Sequence, residues 1–257
     1  MSSFFSVAGA VAWRGIHNFF LNPALVVPAI LFPLFFLAAF AGGLSRVSDI
    51  PSFDFDAGYT AFQYVWILLQ TVAIGGAFTG FAIARDFEGG FAQRFMLAAP
   101  RREGIILGYM LVSLVRVTVT GGVATIAALI SGMQVLGGGV DLFGLLGLAV
   151  LVNVAATLFA VGMAMLLRTS SGGFLIQTPI FVATFLSPVF VPLELLDGWI
   201  KAVSAVNPIT FILQAGRGFI GGNPTHVLLA FGLGAALILV MIPWALFGLR
   251  RAEKAGV

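Results

Sequence analysis

Six stretches of twenty or more mostly apolar residues divide this chain, and they leave little freedom in what it can fold into. A helix crosses the hydrocarbon core of a bilayer with about 20 apolar residues. The stretches are Pro23–Gly43, Thr60–Ala84, Ile105–Gly132, Leu142–Leu167, Gly173–Pro192 and Val227–Leu249. Charged residues make up 9% of the 257, against about 25% in a soluble domain. That is too little polar surface to cover a globule in water, so the surrounding medium is lipid. The pattern predicts an all-α integral membrane protein with no soluble domain. Residues 1–22 form an N-terminal interfacial helix, residues 23–249 a six-span bundle, and residues 250–257 a short tail.

Several chemistries are excluded by residue type. The absence of Cys removes disulfides, thiolate metal sites and cysteine nucleophiles. The two histidines, His17 and His226, are far apart in sequence, which argues against a histidine metal site. The pI of about 9.8 does not point to nucleic acid, because the net charge is only +3 and the basic residues sit at span ends. No basic region precedes the first apolar stretch, so no secretory signal is expected. The only lysines, Lys201 and Lys254, are not in a phosphate-binding loop, so any ATP-binding site belongs to another polypeptide.

An even number of spans puts both termini on one side, and the Lys/Arg distribution selects which. With the N-terminus inside, inner segments hold Arg14, Arg85, Arg94, Arg101, Arg102, Arg168, Arg250, Arg251 and Lys254; outer segments hold Arg46, Lys201 and Arg217. The expected topology is therefore N-in, C-in. The outer segment after the fifth span is too apolar for a bare loop. From Pro188 to Ile200 it is expected to dip back into the membrane as short re-entrant helices, backed by protein that satisfies the broken backbone.

Most chemistry sits in the inner loop from Arg85 to Arg102. Phe87, Phe91 and Phe95 recur every fourth residue, and a short helix would place them on one face. Asp86, Glu88, Arg94, Arg101 and Arg102 surround them. Such a stripe suits docking into a partner's groove and equally suits anionic lipid headgroups. Gly89 and Gly90 disfavour a long helix here. Within the spans, Arg116 is a buried cation that needs a partner or a watery cavity. Gln70, Asn153 and Gln177 are candidate partners. Gln63, Trp66 and Gln70 share a face of span two, and Gln177, Phe181 and Phe185 mark span five. These faces either line a path for an amphipathic substrate or form helix–helix contacts.

Three regions together resemble the ABC-2-type permeases, the membrane subunits of ABC exporters of the daunorubicin-resistance, nodulation-factor and polysaccharide-export kind. They are Ala84-Arg-Asp-Phe-Glu-Gly-Gly-Phe through Met96-Leu-Ala-Ala-Pro-Arg-Arg, then Gly108; Arg116 in span three; and Ser187-Pro-Val-Phe-Val-Pro with Trp199, Asn207-Pro208-Ile-Thr and Ala215-Gly-Arg217-Gly. Pro188, Pro192, Trp199, Asn207, Pro208 and Arg217 carry the last and most specific part. The sequence departs from many relatives at Ala99, where they carry Ser. The resemblance implies an elbow helix, six spans and a coupling helix between spans two and three that docks on a nucleotide-binding subunit. It implies two permeases, as copies or paralogues, with two ATPases that bind ATP and Mg, no cofactor on this chain, and a bacterial or archaeal cytoplasmic membrane. In relatives, spans two and five face the path.

Phe, Trp and Gln without paired intramembrane acids suit an amphipathic or lipid-like cargo. A secondary transporter would need intramembrane Asp, Glu or His, and a membrane enzyme a cluster of acids, His or metal ligands. Glu194 and Asp197 alone do not make one. A non-transporting membrane anchor remains compatible with the Phe-striped loop.

Overall fold

The computed structural model describes residues 2–50, 53–99 and 101–254. Pro100 of the loop resemblance and residues 255–257 of the expected tail lie outside them. The described residues form ten α-helices and no strand. In chain order these are α1 (Ser2–Leu21), α2 (Pro23–Phe36), α3 (Gly58–Glu88), α4 (Phe91–Ala98), α5 (Glu103–Ile130), α6 (Gly139–Leu167), α7 (Gly173–Phe185), α8 (Gly198–Val206), α9 (Pro208–Gly221) and α10 (Val227–Lys254). A π-helical turn, Leu37–Gly42, prolongs α2.

Five of these runs are long and apolar enough to cross a membrane: the one opening with α2, then α3, α5, α6 and α10. The stretch expected as the fifth of six spans is the exception. Instead of continuing to Pro192, α7 stops at Phe185 after 13 residues. At about 1.5 Å per residue that is about 20 Å, short of the ~30 Å hydrocarbon core. Proline accounts for the stop. Pro188 and Pro192 cannot donate to a helix and push the residues before them out of helical geometry. The long apolar connection beyond resolves into a 3₁₀ turn at Leu193–Leu195, then α8 and α9.

At the centre stands α3, packed by α5, α6, α7, α9 and α2. Small residues permit this. Gly76 and Gly80 lie one turn apart, and a Cβ on Gly76 would come within 2.7 Å of the Thr157 backbone nitrogen. Close backbone approach at small-xxx-small positions is the main source of packing energy between helices in lipid. A polar knot reinforces the contact: Asn153 Nδ2 donates to the Val72 carbonyl at 2.8 Å and to Ser113 Oγ at 2.9 Å, and Thr157 Oγ1 donates to Ser113. Three helices, α3, α5 and α6, are tied by it.

The N-terminal helix spans Ser2–Leu21, and Asn22 caps α2 by accepting from the Ala24 amide. It is a packed element. Gly104 faces the Phe4 carbonyl, Gly108 faces Ala8 and Val11, and Gly15 faces Val112, so α1 runs alongside the first half of α5. Ala8, Val11, Ala12 and Phe19 are buried, whereas Phe5, Trp13 and Phe20 are exposed on the opposite side. The last turn of α10 reaches the same end of the bundle, where Arg102 pairs with Glu253 at 3.3 Å.

Candidate functional site

Two polar clusters, one at each end of α3, hold most of the residues expected to matter. At the α4 end the helix does not stop where an inner loop was expected. It continues through Arg85, Asp86, Phe87 and Glu88. Gly90 then turns the chain at φ 68°, a left-handed conformation that suits glycine, and α4 begins at Phe91. The Phe87/Phe91/Phe95 stripe is therefore split between two helices, with Phe87 in the core and Phe91 and Phe95 half-buried. Phe87 is buried, Phe95 packs on the core, and Phe91 stacks on Phe95 at 5.8 Å. The side of α4 left open carries Gln93, Arg94, Leu97 and Ala98, and Leu97 is 68% exposed. Apolar aromatic rings were the strongest periodic signal in the sequence, and burial claimed them wholly or in part, as it does most aromatic positions.

Charged groups bind this end together. Arg14 of α1 grips Asp86 through two bonds, Nη1 to Oδ2 at 2.8 Å and Nη2 to Oδ1 at 2.6 Å. Tyr109 of α5 donates to the same carboxylate at 2.6 Å. The guanidinium of Arg14 also lies 3.6 Å above the Phe91 ring. Its hydrogen bonds to Asp86 outweigh its partial burial, so it holds its proton above the ordinary arginine range. Glu88 clamps the turn between α6 and α7, accepting from the Ser170 amide at 2.8 Å and from the Thr169 and Ser170 hydroxyls. Arg102 donates to the Met96 carbonyl and closes α4 onto α5. Arg85, Arg94 and Arg101 are exposed. The roles of Arg14 and Tyr109 were not apparent from the sequence. Neither lies in the loop, and only their shared partner Asp86 reveals them.

At the α9 end the broken backbone after α7 is held by side chains. Asn207 Nδ2 donates to the Ala183 carbonyl at 2.7 Å, Trp66 Nε1 to Thr184 at 3.1 Å, and Ser204 Oγ to Leu186 at 2.9 Å. Arg217 serves Pro188 through Nη1 at 2.8 Å and Val189 through Nη2 at 3.0 Å, while its Nε reaches the Phe62 carbonyl at 3.2 Å. Gln63 Nε2 donates to Val189 and the Tyr59 hydroxyl to Phe190, both at 3.1 Å. Irregular backbone in an apolar setting is tolerated where protein satisfies it, and six carbonyls between Ala183 and Phe190 are met here by side chains of α3, α8, α9 and Asn207 between the last two. Arg217 is 5% exposed and lies 3.3 Å over the Phe62 ring, so it is a structural cation inside the fold. Asn207 also caps α9 ahead of Pro208. Pro188 is buried and Pro192 half-buried; Trp199, on α8, is 72% exposed.

Between the two clusters, Trp66 meets Phe36 at 5.5 Å and Phe185 at 4.8 Å, and Phe181 stacks on Phe185 at 4.3 Å. This aromatic wall joins α2, α3 and α7. Gln63, Trp66 and Gln70 are enclosed within the single chain, each 1% exposed or less. Gln177 and the two phenylalanines are half-buried. Both polar atoms of the Gln70 amide lack a partner. Arg116 does not bond to Gln70, Asn153 or Gln177, the partners expected for it. Asn153 is committed to Val72 and Ser113, and the neighbour of Arg116 is the Phe19 ring at 5.0 Å. No group of three or more His, Cys, Asp or Glu that could hold a metal occurs among the described residues.

The structure is a multi-span helical bundle with a charged cluster at one end and a proline-broken segment at the other. The chain belongs to the ABC-2 type transporter family, which it matches over residues 7–220. It is thus the membrane permease of an ABC transporter, a class that carries no ATPase domain of its own. It is similar to the daunorubicin resistance ABC transporter permease protein DrrB1 of Streptomyces coeruleorubidus, with 22% identity over 240 residues, 90% of this chain and 81% of the relative. It is also similar to the putative transport permease ycf38 of Pyropia yezoensis, with 26% identity over 218 residues, 81% of this chain and 72% of the relative.

Proposed function

We propose that this chain is the six-crossing permease subunit of an ATP-driven exporter of amphipathic molecules, paired with a second permease and powered by separate ATPase subunits. The α4 end faces the cytoplasm, as the Lys/Arg distribution requires. α7 with its side-chain-held continuation supplies the sixth crossing. The supporting observation is the uninterrupted α3. It is 31 residues long and carries Asp86 and Glu88 at one end and Tyr59 and Gln63 at the other. An ATPase bound to the open face of α4, at Arg94 and Leu97, would move α4 together with α3 through the Gly89–Gly90 turn and through Arg14, which lies over Phe91 and grips Asp86. The same rod then shifts the aromatic wall and the carbonyls it holds beyond α7. Energy is transmitted because the ATPase contacts α4 differently in its open and closed states.

The cargo class follows from the wall. Phe181 and Phe185 with Gln177, half-buried at the edge of the wall, offer aromatic surface and few charges, which suits a planar drug or a lipid-like molecule. The drug-resistance name of one relative favours the drug. The test is flux of a fluorescent anthracycline and of a fluorescent lipid in proteoliposomes holding the permease and its co-purifying ATPase. The account expects flux that needs ATP hydrolysis and survives an uncoupler. Flux that collapses with the uncoupler and ignores ATP would replace it with an ion-coupled transporter.

A further inference from the structure

One cavity borders the Arg14–Asp86–Tyr109 cluster and extends beyond it. It lies between α1, α2, α3 and α5 at the α4 end and has a volume of about 800 Å³. Its walls divide by chemistry. Toward the end of the bundle stand Arg14, Arg85, Asp86 and Asn18, while Leu25 and Phe78 are among the apolar groups lining the rest. Arg116 also lines it.

The charges do not balance. Three arginines border the cavity against one carboxylate. That carboxylate is already engaged by Arg14 and Tyr109. Arg85 is exposed and can use solvent. Arg116 cannot. It is 6% exposed, it makes no hydrogen bond through its side chain among the described residues, and its Nε is buried without a partner. An unpaired cation at membrane depth is costly and marks a site where something else supplies the counter-charge. Ser113, one turn before Arg116 on α5, accepts from Asn153 and Thr157 instead.

We propose that this cavity binds the phosphate-bearing headgroup of an anionic membrane amphiphile, with Arg116 as its counter-ion. The planar guanidinium offers a fork that matches two phosphate oxygens. The Phe19 ring at 5.0 Å closes one side of the cation. The apolar walls receive the first carbons of the chains, which distinguishes an amphiphile from a free phosphorylated solute. The site is separate from the aromatic wall, and it rests on the proposed function only for its placement in the cytoplasmic leaflet.

The experiment needs neither ATPase nor transport, so its outcome is independent of the export reading. Purified permease is reconstituted in phosphatidylcholine nanodiscs with trace phosphatidylglycerol, and retained lipid is counted by native mass spectrometry. The expected result is preferential retention of phosphatidylglycerol, weakened about tenfold in Arg116→Gln, the loss expected when a charge-assisted bidentate contact is removed, and only partly restored in Arg116→Lys, which keeps the charge without the fork. Arg116→Gln should melt no lower than the parent, because no protein partner is lost. Millimolar inorganic phosphate should not displace the lipid. Equal retention of phosphatidylglycerol and phosphatidylcholine by the parent protein overturns the proposal even if the Gln variant fails to fold. Arg116-dependent binding of inorganic phosphate without lipid retention also overturns it, because the site would then serve a soluble anion.

Discussion

Two buried polar residues in this chain have opposite energetics. Arg217 places three donors on three carbonyls and stacks on Phe62. Bonds from a charged donor are worth about 1.5–3 kcal/mol each, and removing the group leaves carbonyls bare. Arg217→Met should lower the melting temperature in detergent by an amount equivalent to about 3 kcal/mol or more. Arg217→Lys should recover only part, because a point ammonium cannot serve three divergent acceptors. Gln70 is the reverse case. Its amide is buried with neither polar atom paired, and an unsatisfied buried group costs about 1–3 kcal/mol. Gln70→Leu should therefore raise the melting temperature. If it lowers both stability and flux, the amide has a partner in a state of the transport cycle other than this one. Asp86→Asn should act differently again. Arg14 is about one-third exposed, so solvent screening limits the stability change to about 1 kcal/mol. The larger effect should fall on ATP hydrolysis coupled to transport, measured in proteoliposomes.

Elements follow from small residues and prolines. The α3–α6 contact depends on Gly76, whose added Cβ would meet the Thr157 nitrogen at 2.7 Å and the Ala156 side chain at 2.9 Å. Backbone cannot yield as a flexible side chain does, and overpacking costs about 1–3 kcal/mol or more. Gly76→Val should give protein that is unstable or aggregates on size-exclusion chromatography, whereas Gly122→Ala, where a Cβ meets nothing within 4 Å, should behave as the parent. At this scale much was legible in advance. Apolar run length located the long helices within a few residues, because lipid leaves the backbone no alternative. The short helices beyond α7 were also legible, since an apolar stretch with Pro188 and Pro192 neither suits a bare loop nor continues as one helix. Run length failed at α7. Hydropathy carries past Phe185 to Val191, but geometry obeys proline. At α4 periodicity found the Phe stripe but not its split between two helices, with Phe87 in the core and Phe91 and Phe95 half-buried. A four-residue repeat identifies a face without saying what that face meets, and here it meets the core only in part.

The whole molecule is organised about α3, and the sequence has no local sign of that role. Arg14 and Asp86 are 72 residues apart, and Arg217 and Phe62 are 155 apart. No spacing rule connects such pairs, so the cluster at each end of the rod emerges only when the chain is folded. The resemblance had marked Asp86, Pro188, Asn207 and Arg217 as a set, and the fold supplies a physical reason. Asp86 locks α1 and α5 to α3, while Asn207 and Arg217 hold the carbonyls that proline leaves exposed. The central claim is that this rod is driven from the open face of α4. The direct measurement is co-purification of the ATPase and its hydrolysis rate for the parent, for a double variant Arg94→Glu, Leu97→Asp, and for Gln93→Ala as a control on the same face. The account predicts that the double variant loses the ATPase, and that coupled hydrolysis falls about tenfold or more, as expected when a charged contact and an apolar anchor are both lost at an interface. It also predicts that permease melting is unchanged, because both side chains are exposed. Full association and full coupled hydrolysis in a folded double variant would contradict it.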